Sequence, residues 1–340
     1  MKALVKPAGV SGVLEVREVD DPVVTADRVL VEVKVAGICG SDVKHLHQVR
    51  DEPVILGHEF SGEVVEVGGL VEGWRAGDRV VSETSGHICG RCRFCMTGDY
   101  HLCRERKGLG SGMDGAFTKY IALPPRLLHG IPDGLSYDEA ALVQPCADIV
   151  NAVTRKAKVY PGDTVVVQGP GPMGLLTAQV ARARGASTVI QTGHRGVRLS
   201  IAKEVGADVT IPVEEVDPVE RVMELTGGAG ADVVFEASGA ESSALQAFEM
   251  VRREGQVVFI ASPPGPVGFS FRSILGKGLT VRGSIMSKWI DYERAIGLIS
   301  SGAVRVVPII THKFPITEWR RAFDAITVEK TAGKVLLTPV

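Results

Sequence analysis

The chain has 340 residues, enough for two domains with substantial cores, so neither disulfides nor metals are needed merely to fold it. Lys and Arg number 38 against 40 Asp and Glu, and the net charge of −2 argues against nucleic acid or an anionic membrane as a general electrostatic partner. No apolar run approaches the ~20 residues of a membrane span, and no secretory pattern opens the chain. The six cysteines read first as metal or catalytic residues of a reducing compartment, so a cytoplasmic location is expected.

In chain order, residues 1 to about 147 read as an all-β half with few helices. Val29–Val35, Glu63–Val67 and Arg79–Ser82 are rich in β-branched residues, partly alternating, and lie between Gly, Pro and Asp. Within this half, Cys39 follows Gly37-Ile38, and His58 and Glu59 follow Gly57. One Cys, one His and one Glu form a borderline-soft ligand set that leaves room for water or substrate. Taken alone, a cysteine in a small-residue turn is ordinarily a packed small hydrophobe, and a His-Glu pair is ordinarily surface charge.

Further on, Cys89, Cys92, Cys95 and Cys103 form C-x2-C-x2-C-x7-C, with Gly90 and Gly98 helping the loop turn. The two-residue gaps aim successive sulfurs at one point, and four thiolates complete a tetrahedral zinc site with no open position. Such a site is structural. The alternatives are an iron–sulfur cluster, whose motifs usually distribute the cysteines differently, and unligated cysteines; a nucleic-acid finger fits poorly, since no basic recognition helix follows.

The texture changes near residue 150. Thr164–Gln168 is a continuous β-branched run suited to a strand buried on both faces. A helical stripe follows over Met173–Arg184, stopped at Gly185; then a strand over Thr188–Thr192 and a helix over Leu199–Val205. Val209–Ile211, Asp232–Glu236 and Gln256–Ala261 continue the alternation, which predicts βαβ units and a parallel sheet. A last strand is expected at Gly333–Leu337. The turn Gly169-Pro170-Gly171-Pro172-Met173-Gly174 is G-x-G-x-x-G between the first of these strands and its helix, the setting in which the motif binds a dinucleotide pyrophosphate. About 20 residues on, where an acid would bond the adenine ribose of NAD, the chain reads Gly193-His194-Arg195-Gly196-Val197-Arg198. There is no carboxylate. Arg195, with His194 and Arg198 in reach, suits a 2′-phosphate, so NADP(H) is expected over NAD(H).

Cys39-Gly40-Ser41-Asp42, the G-H-E motif from Gly57 through Gly62 to Gly68, Gly77-Asp78-Arg79-Val80 and the four-cysteine lobe occur in an order and at spacings that resemble the zinc-dependent medium-chain alcohol and polyol dehydrogenases. The resemblance spans nearly the whole chain, and is nearer to the polyol and threonine dehydrogenase branch than to that of simple primary alcohols. It implies a GroES-like all-β catalytic domain over 1–149, with a structural-zinc lobe at about 86–106. A Rossmann doubly wound domain would cover 150–286, and 287–340 would return to the first domain. It implies a catalytic zinc held by Cys39 and His58, with Glu59 as a ligand or a mobile carboxylate. The further ligand position falls on Gln144, ahead of Asp148 and Cys146 as alternatives; Pro145 would begin a helix with Gln144 as its N-cap.

The implied activity is reversible oxidation of a secondary alcohol or polyol by hydride transfer to NADP, with a proton relay through Ser41. His45 is the candidate for the next step, since a histidine ordinarily titrates near neutrality, and Lys44 is its alternative. Phe235–Gly239 and Phe259–Ser262 would be strand ends beside the nicotinamide. A homodimer or homotetramer acting on a small alcohol is expected. The alternatives are a zinc-free quinone or enone reductase and a non-catalytic dinucleotide-binding protein.

Overall fold

The computed structural model describes all residues except Arg195 and Lys330. The chain divides into two units: residues 1–144 with 287–300 and 310–340, and residues 145–286 with 301–309.

The first unit begins with the strands β1 (Lys2–Lys6), β2 (Glu15–Glu18), β3 (Val29–Gly37), β4 (Val54–Ile55), β5 (Glu59–Val67), β6 (Arg79–Ser82), β7 (Tyr120–Leu123) and β8 (Leu128–Gly130). The strands β1, β2 and β4 form a small antiparallel sheet. In β3, Val29, Val31, Val33 and Val35 are buried while Leu30, Glu32 and Lys34 are partly exposed, the period-2 pattern of a strand with one face on a core. That core gathers Val29, Val31, Leu56, Phe60 and Phe117 with Trp319, Phe323, Val335 and Leu337 from the C-terminal segment.

The second unit carries β9 (Thr164–Gln168), β10 (Thr188–Gly193), β11 (Val209–Pro212), β12 (Ala231–Glu236), β13 (Val251–Phe259) and β14 (Thr280–Gly283), paired in the order β11-β10-β9-β12-β13-β14. All pairs are parallel, and the reversal between β9 and β12 is that of a doubly wound dinucleotide-binding sheet. The register sets Val209, Ile190, Val166, Val234, Val257 and Val281 in one row across the sheet. The uninterrupted apolar run at Val165–Val167 is completely buried, as a strand covered on both faces requires. The chain then returns to the first unit through β15 (Ile310–Pro315) and β16 (Lys334–Thr338), with β16 antiparallel to β3.

Three local expectations need correction. The helix expected to start with Gln144 as its N-cap runs Val143–Asn151, so Gln144 is already a helical residue; Pro145 stays within the first turn, where its missing N–H costs nothing. The strand expected from Gln256 starts at Val251, which pairs with Ala231; the chain then bulges through Arg252-Arg253-Glu254-Gly255, with Glu254 in the left-handed region at φ 56°, and continuous pairing resumes at Gln256. The helix expected at Leu199 begins two residues earlier, at Val197. Asn151, the one asparagine in the sequence, donates its side-chain amide to the carbonyls of Ile285 and Met286 at 3.2 and 2.5 Å, bracing a segment whose Met286 has φ 52°.

Candidate active site

Strand register explains why Cys39 and His58 meet. The strands β3 and β5 run antiparallel with Gly37 opposite Glu59, so Cys39, two residues beyond one strand, and His58, one residue before the other, leave the same end of the ladder. The donor atoms of Cys39, His58 and Glu59 all lie within 4.8 Å of one another. Asp42, fully buried in the helix Gly40–His47, braces both approaches: its carboxylate accepts from the Cys39 N–H at 2.8 Å and the Gly57 N–H at 3.4 Å, and lies 3.8 Å from His58 Nδ1.

Burial by itself would push the His58 imidazole down, but Asp42, the Cys39 thiol and Glu59 outweigh it and raise it to about 10. A pocket that holds a proton this firmly favours a cation. A thiol, an imidazole and a carboxylate are the donor types that zinc takes, so the residues fit the metal.

Two supporting groups, Asp42 and Lys334, were not expected from the sequence. Asp42 carried a signal in the Cys39-Gly40-Ser41-Asp42 motif; Lys334 carried none. Lys334 enters from the start of β16, almost wholly buried, pairs with Glu59 Oε2, and donates to the Ile38 carbonyl at 2.9 Å. A Cβ at Gly37 would sit 2.7 Å from both Glu59 Oε2 and Lys334 Cε, so this glycine leaves the room the ion pair occupies.

On the helix Gly40–His47, Ser41 and His45 are one turn apart on one face, both half-buried, whereas Lys44 is exposed. The His45 Nδ1 lies 2.8 Å from Gln48 Oε1. Gln144 is buried, and Asp148 and Cys146 lie further along its helix. Burial pushes the Cys146 thiol up to about 12, away from the thiolate a metal needs.

The four-cysteine lobe gathers its sulfurs as its spacing implied. Sγ–Sγ distances are 3.6 Å for Cys92–Cys95 and Cys89–Cys103, and 3.9 Å for Cys89–Cys95. A tetrahedron with Zn–S bonds of ~2.3 Å has edges of about 3.8 Å. Backbone N–H groups donate to Cys89 and Cys103 sulfurs at 3.3 and 3.4 Å, and the Cys95 N–H pulls the Cys92 thiol down to about 7. These two groups are the candidate metal clusters among the described residues.

In the second unit, the turn after β9 leads into the helix Pro172–Ala183, with Gly171 as its N-cap and Pro172 at its first position. The glycines differ in purpose. Gly169 has φ 89° and packs on Ser238, whose Cα would lie 2.7 Å from a Cβ there; Gly174 packs on the Gly169 carbonyl. Gly171 has nothing within 4 Å of where its Cβ would be, which leaves the helix N-terminus open to a pyrophosphate. Gln191, fully buried in β10, donates to the Val167 and Gly169 carbonyls at 3.1 and 3.0 Å and fixes the turn from below. Glu236 caps the neighbouring strand end, accepting from the Ser238 and Gly239 N–H groups at 2.8 and 3.0 Å. Gly193 ends β10; His194 is 87% exposed and its Nδ1 lies 3.5 Å from Glu214 Oε2. Burial lowers the Arg198 guanidinium, and Arg195 lies outside the described residues.

Comparison with known proteins agrees with this architecture. Residues 25–133 match the alcohol dehydrogenase GroES-like domain family, and residues 172–301 match the zinc-binding dehydrogenase family. The chain is 45% identical to a sorbitol dehydrogenase of Halalkalibacterium halodurans, covering all of both chains. It superposes with a TM-score of 0.91 and 33% identity on a zinc-binding dehydrogenase from Sinorhizobium meliloti bound to NADP, covering 99% of each chain. An alcohol dehydrogenase from Escherichia coli complexed with NADH gives a TM-score of 0.91 at 29% identity, again over 99% of each. The chain therefore belongs to the zinc-type medium-chain dehydrogenase/reductase family and is a zinc-dependent, NAD(P)-linked dehydrogenase of the alcohol and polyol class. The two candidate zinc-binding clusters set it apart from the zinc-free reductase alternative. No helix among the described residues is long and apolar enough to cross a membrane.

Proposed function

We propose that this enzyme oxidises a polyol or another secondary alcohol reversibly to the ketone, with NADP(H) as its cofactor. The observation that carries the reading is the convergence of Cys39, His58 and Glu59 within 4.8 Å in a chain whose parallel sheet ends in the open turn at Gly171. Zinc held by Cys39 and His58 supplies Lewis acidity toward a hydroxyl oxygen.

The chain's own groups do the rest. Asp42 and Lys334 hold the ligand shell, and Gln144 offers a neutral amide oxygen at the remaining ligand position. Ser41 accepts the hydroxyl proton, since a serine both donates and accepts, and His45 passes it to solvent. Lys44, one position earlier, is the alternative. The helix N-terminus at Gly171 holds the pyrophosphate.

The lack of a carboxylate at Gly193, with His194, Arg195 and Arg198 following, favours a 2′-phosphate. One observation favours NAD(H) instead: Glu214 stands beside His194 and can accept from a ribose hydroxyl. The likeness to a sorbitol dehydrogenase supports a polyol substrate. The enzyme is expected to work as a homodimer or homotetramer in the cytoplasm.

The test is a screen of polyols and secondary alcohols on zinc-quantified enzyme with each cofactor. A kcat/KM ratio favouring NADP+ by ~10-fold or more on a polyol supports the reading. A preference for NAD+, or turnover of primary alcohols only, overturns the corresponding half.

A further inference from the structure

Packing at the end of β10 requires a glycine at residue 193. Its backbone is in an ordinary conformation, so no left-handed φ demands one. Space does. Thr192 is paired with Gln168 across β9 and β10, and the Gly169 N–H donates to the Thr192 carbonyl at 2.9 Å, which carries the next residue, Pro170, over Gly193. A Cβ on Gly193 would lie 2.5 Å from Pro170 Cγ and closer still to Cδ. The proline ring cannot rotate away, because Cδ is bonded to the backbone nitrogen. The other side of Gly193 is fixed too: it pairs with Pro212 in β11, and its carbonyl accepts from the Val213 N–H at 3.1 Å.

We infer that Pro170 is a specificity-determining residue of the dinucleotide site: its ring fills the volume that any side chain at 193 needs, so this strand end cannot present a carboxylate to the adenine ribose. An acid at that position is what bonds a 2′-hydroxyl and repels a 2′-phosphate. Pro170 and Gly193 therefore act as one unit, and discrimination at the 2′ position passes to the side chains beyond the strand, His194, Arg198 and Glu214. The inference rests on the reading of the turn at Gly169–Gly174 as the dinucleotide site. It also has a structural half, the coupling of residues 170 and 193, that can be measured without any cofactor.

Four zinc-loaded proteins test it: wild type, Pro170→Ala, Gly193→Asp and the double variant, each examined for thermal midpoint and for Kd toward NAD+ and NADP+. Gly193→Asp alone should lower the midpoint by roughly 5 °C, the size expected of an overpacked core position in a domain of this length, and should weaken both dinucleotides. Adding Pro170→Ala should restore most of the midpoint and shift the NAD+/NADP+ preference toward NAD+ by at least ~10-fold. Gly193→Ala with and without Pro170→Ala reads the same coupling should the aspartate variant fail to fold. Additive midpoints, or a Gly193→Asp protein that is as stable as wild type and switches preference unaided, overturn the inference. A wild type that prefers NAD+ refutes the NADP(H) reading and leaves the coupling of 170 and 193 to be decided by the midpoints. A wild type that binds neither dinucleotide refutes the site itself.

Discussion

Lys334 is the residue whose removal should tell most about the metal pocket. Its ammonium is the counter-charge of Glu59, and both side chains are almost wholly buried. Removing one partner of such a pair strands the other charge, at a cost of about 3–5 kcal/mol. Lys334→Met should therefore destabilise the metal-free protein by that order, while zinc, the other cation available to Glu59, recovers part of the loss. The gap between the thermal midpoints of zinc-loaded and zinc-free protein should be wider in Lys334→Met than in wild type; an unchanged gap would mean that Glu59 does not feel the metal. At the same scale, Ser41→Ala should lower kcat by roughly 10²-fold with little change in cofactor Kd, as loss of a proton-transfer step does. Full activity in that variant would remove Ser41 from the relay. Cys39 and His58 could be read from the chain because each sits in a motif of fixed local spacing. Lys334 could not: β16 meets β5 only through β3, and nothing in Gly333-Lys334-Val335 separates a buried ion-pair lysine from a strand's exposed first residue.

Among the elements, the four-cysteine lobe does more than close on itself. Tyr100 lies between Cys95 and Cys103. Its hydroxyl accepts the N–H of Trp289 at 2.8 Å, one of the unpaired donors at the start of the helix Trp289–Ser300, and donates to Glu83 at 2.7 Å. Lys288, just before that helix, pairs with Asp99 at 2.8 Å. Burial and the nearby Glu83 carboxylate raise the Tyr100 phenol, so it remains a neutral donor. The lobe thus holds the start of a helix from the other end of the chain. Stripping its zinc should speed amide hydrogen exchange at Trp289 and Ile290 well before β9–β14 are affected. Tyr100→Phe should cost about 1–2 kcal/mol and reproduce that local exchange with the zinc still in place. Unchanged exchange at both residues in both experiments would show that the lobe is independent of the helix. The lobe itself was plain in the spacing of its cysteines, and β9 in its unbroken valine run. The early start of β13 was hidden, since Arg252-Arg253-Glu254-Gly255 has the composition of a turn and bulges out of the ladder: β12 pairs with Val251 and next with Gln256, where pairing with β14 also begins.

At the scale of the whole molecule, two kinds of order are combined: an antiparallel unit whose ladder ends gather metal ligands, and a parallel unit whose strand ends gather glycines. Alternation of apolar residues against continuous runs announced both. The family resemblance supplied the pairing of Cys39 with His58, which the register of β3 and β5 accounts for physically. What the chain did not announce were contacts between distant segments, Lys334 on Glu59, Tyr100 on Trp289 and Pro170 on Gly193, because each depends on a register that only folding sets.

Turnover depends on a metal ion at Cys39 and His58 that is separate from the one in the cysteine lobe. The direct measurement is zinc per chain, by elemental analysis of wild type and of Cys39→Ser, alongside turnover of a polyol. Two zinc ions in wild type, one in the variant, and loss of turnover with the fold retained are the predicted results. A single zinc ion in wild type, or a Cys39→Ser protein that keeps both ions and its activity, would contradict the account.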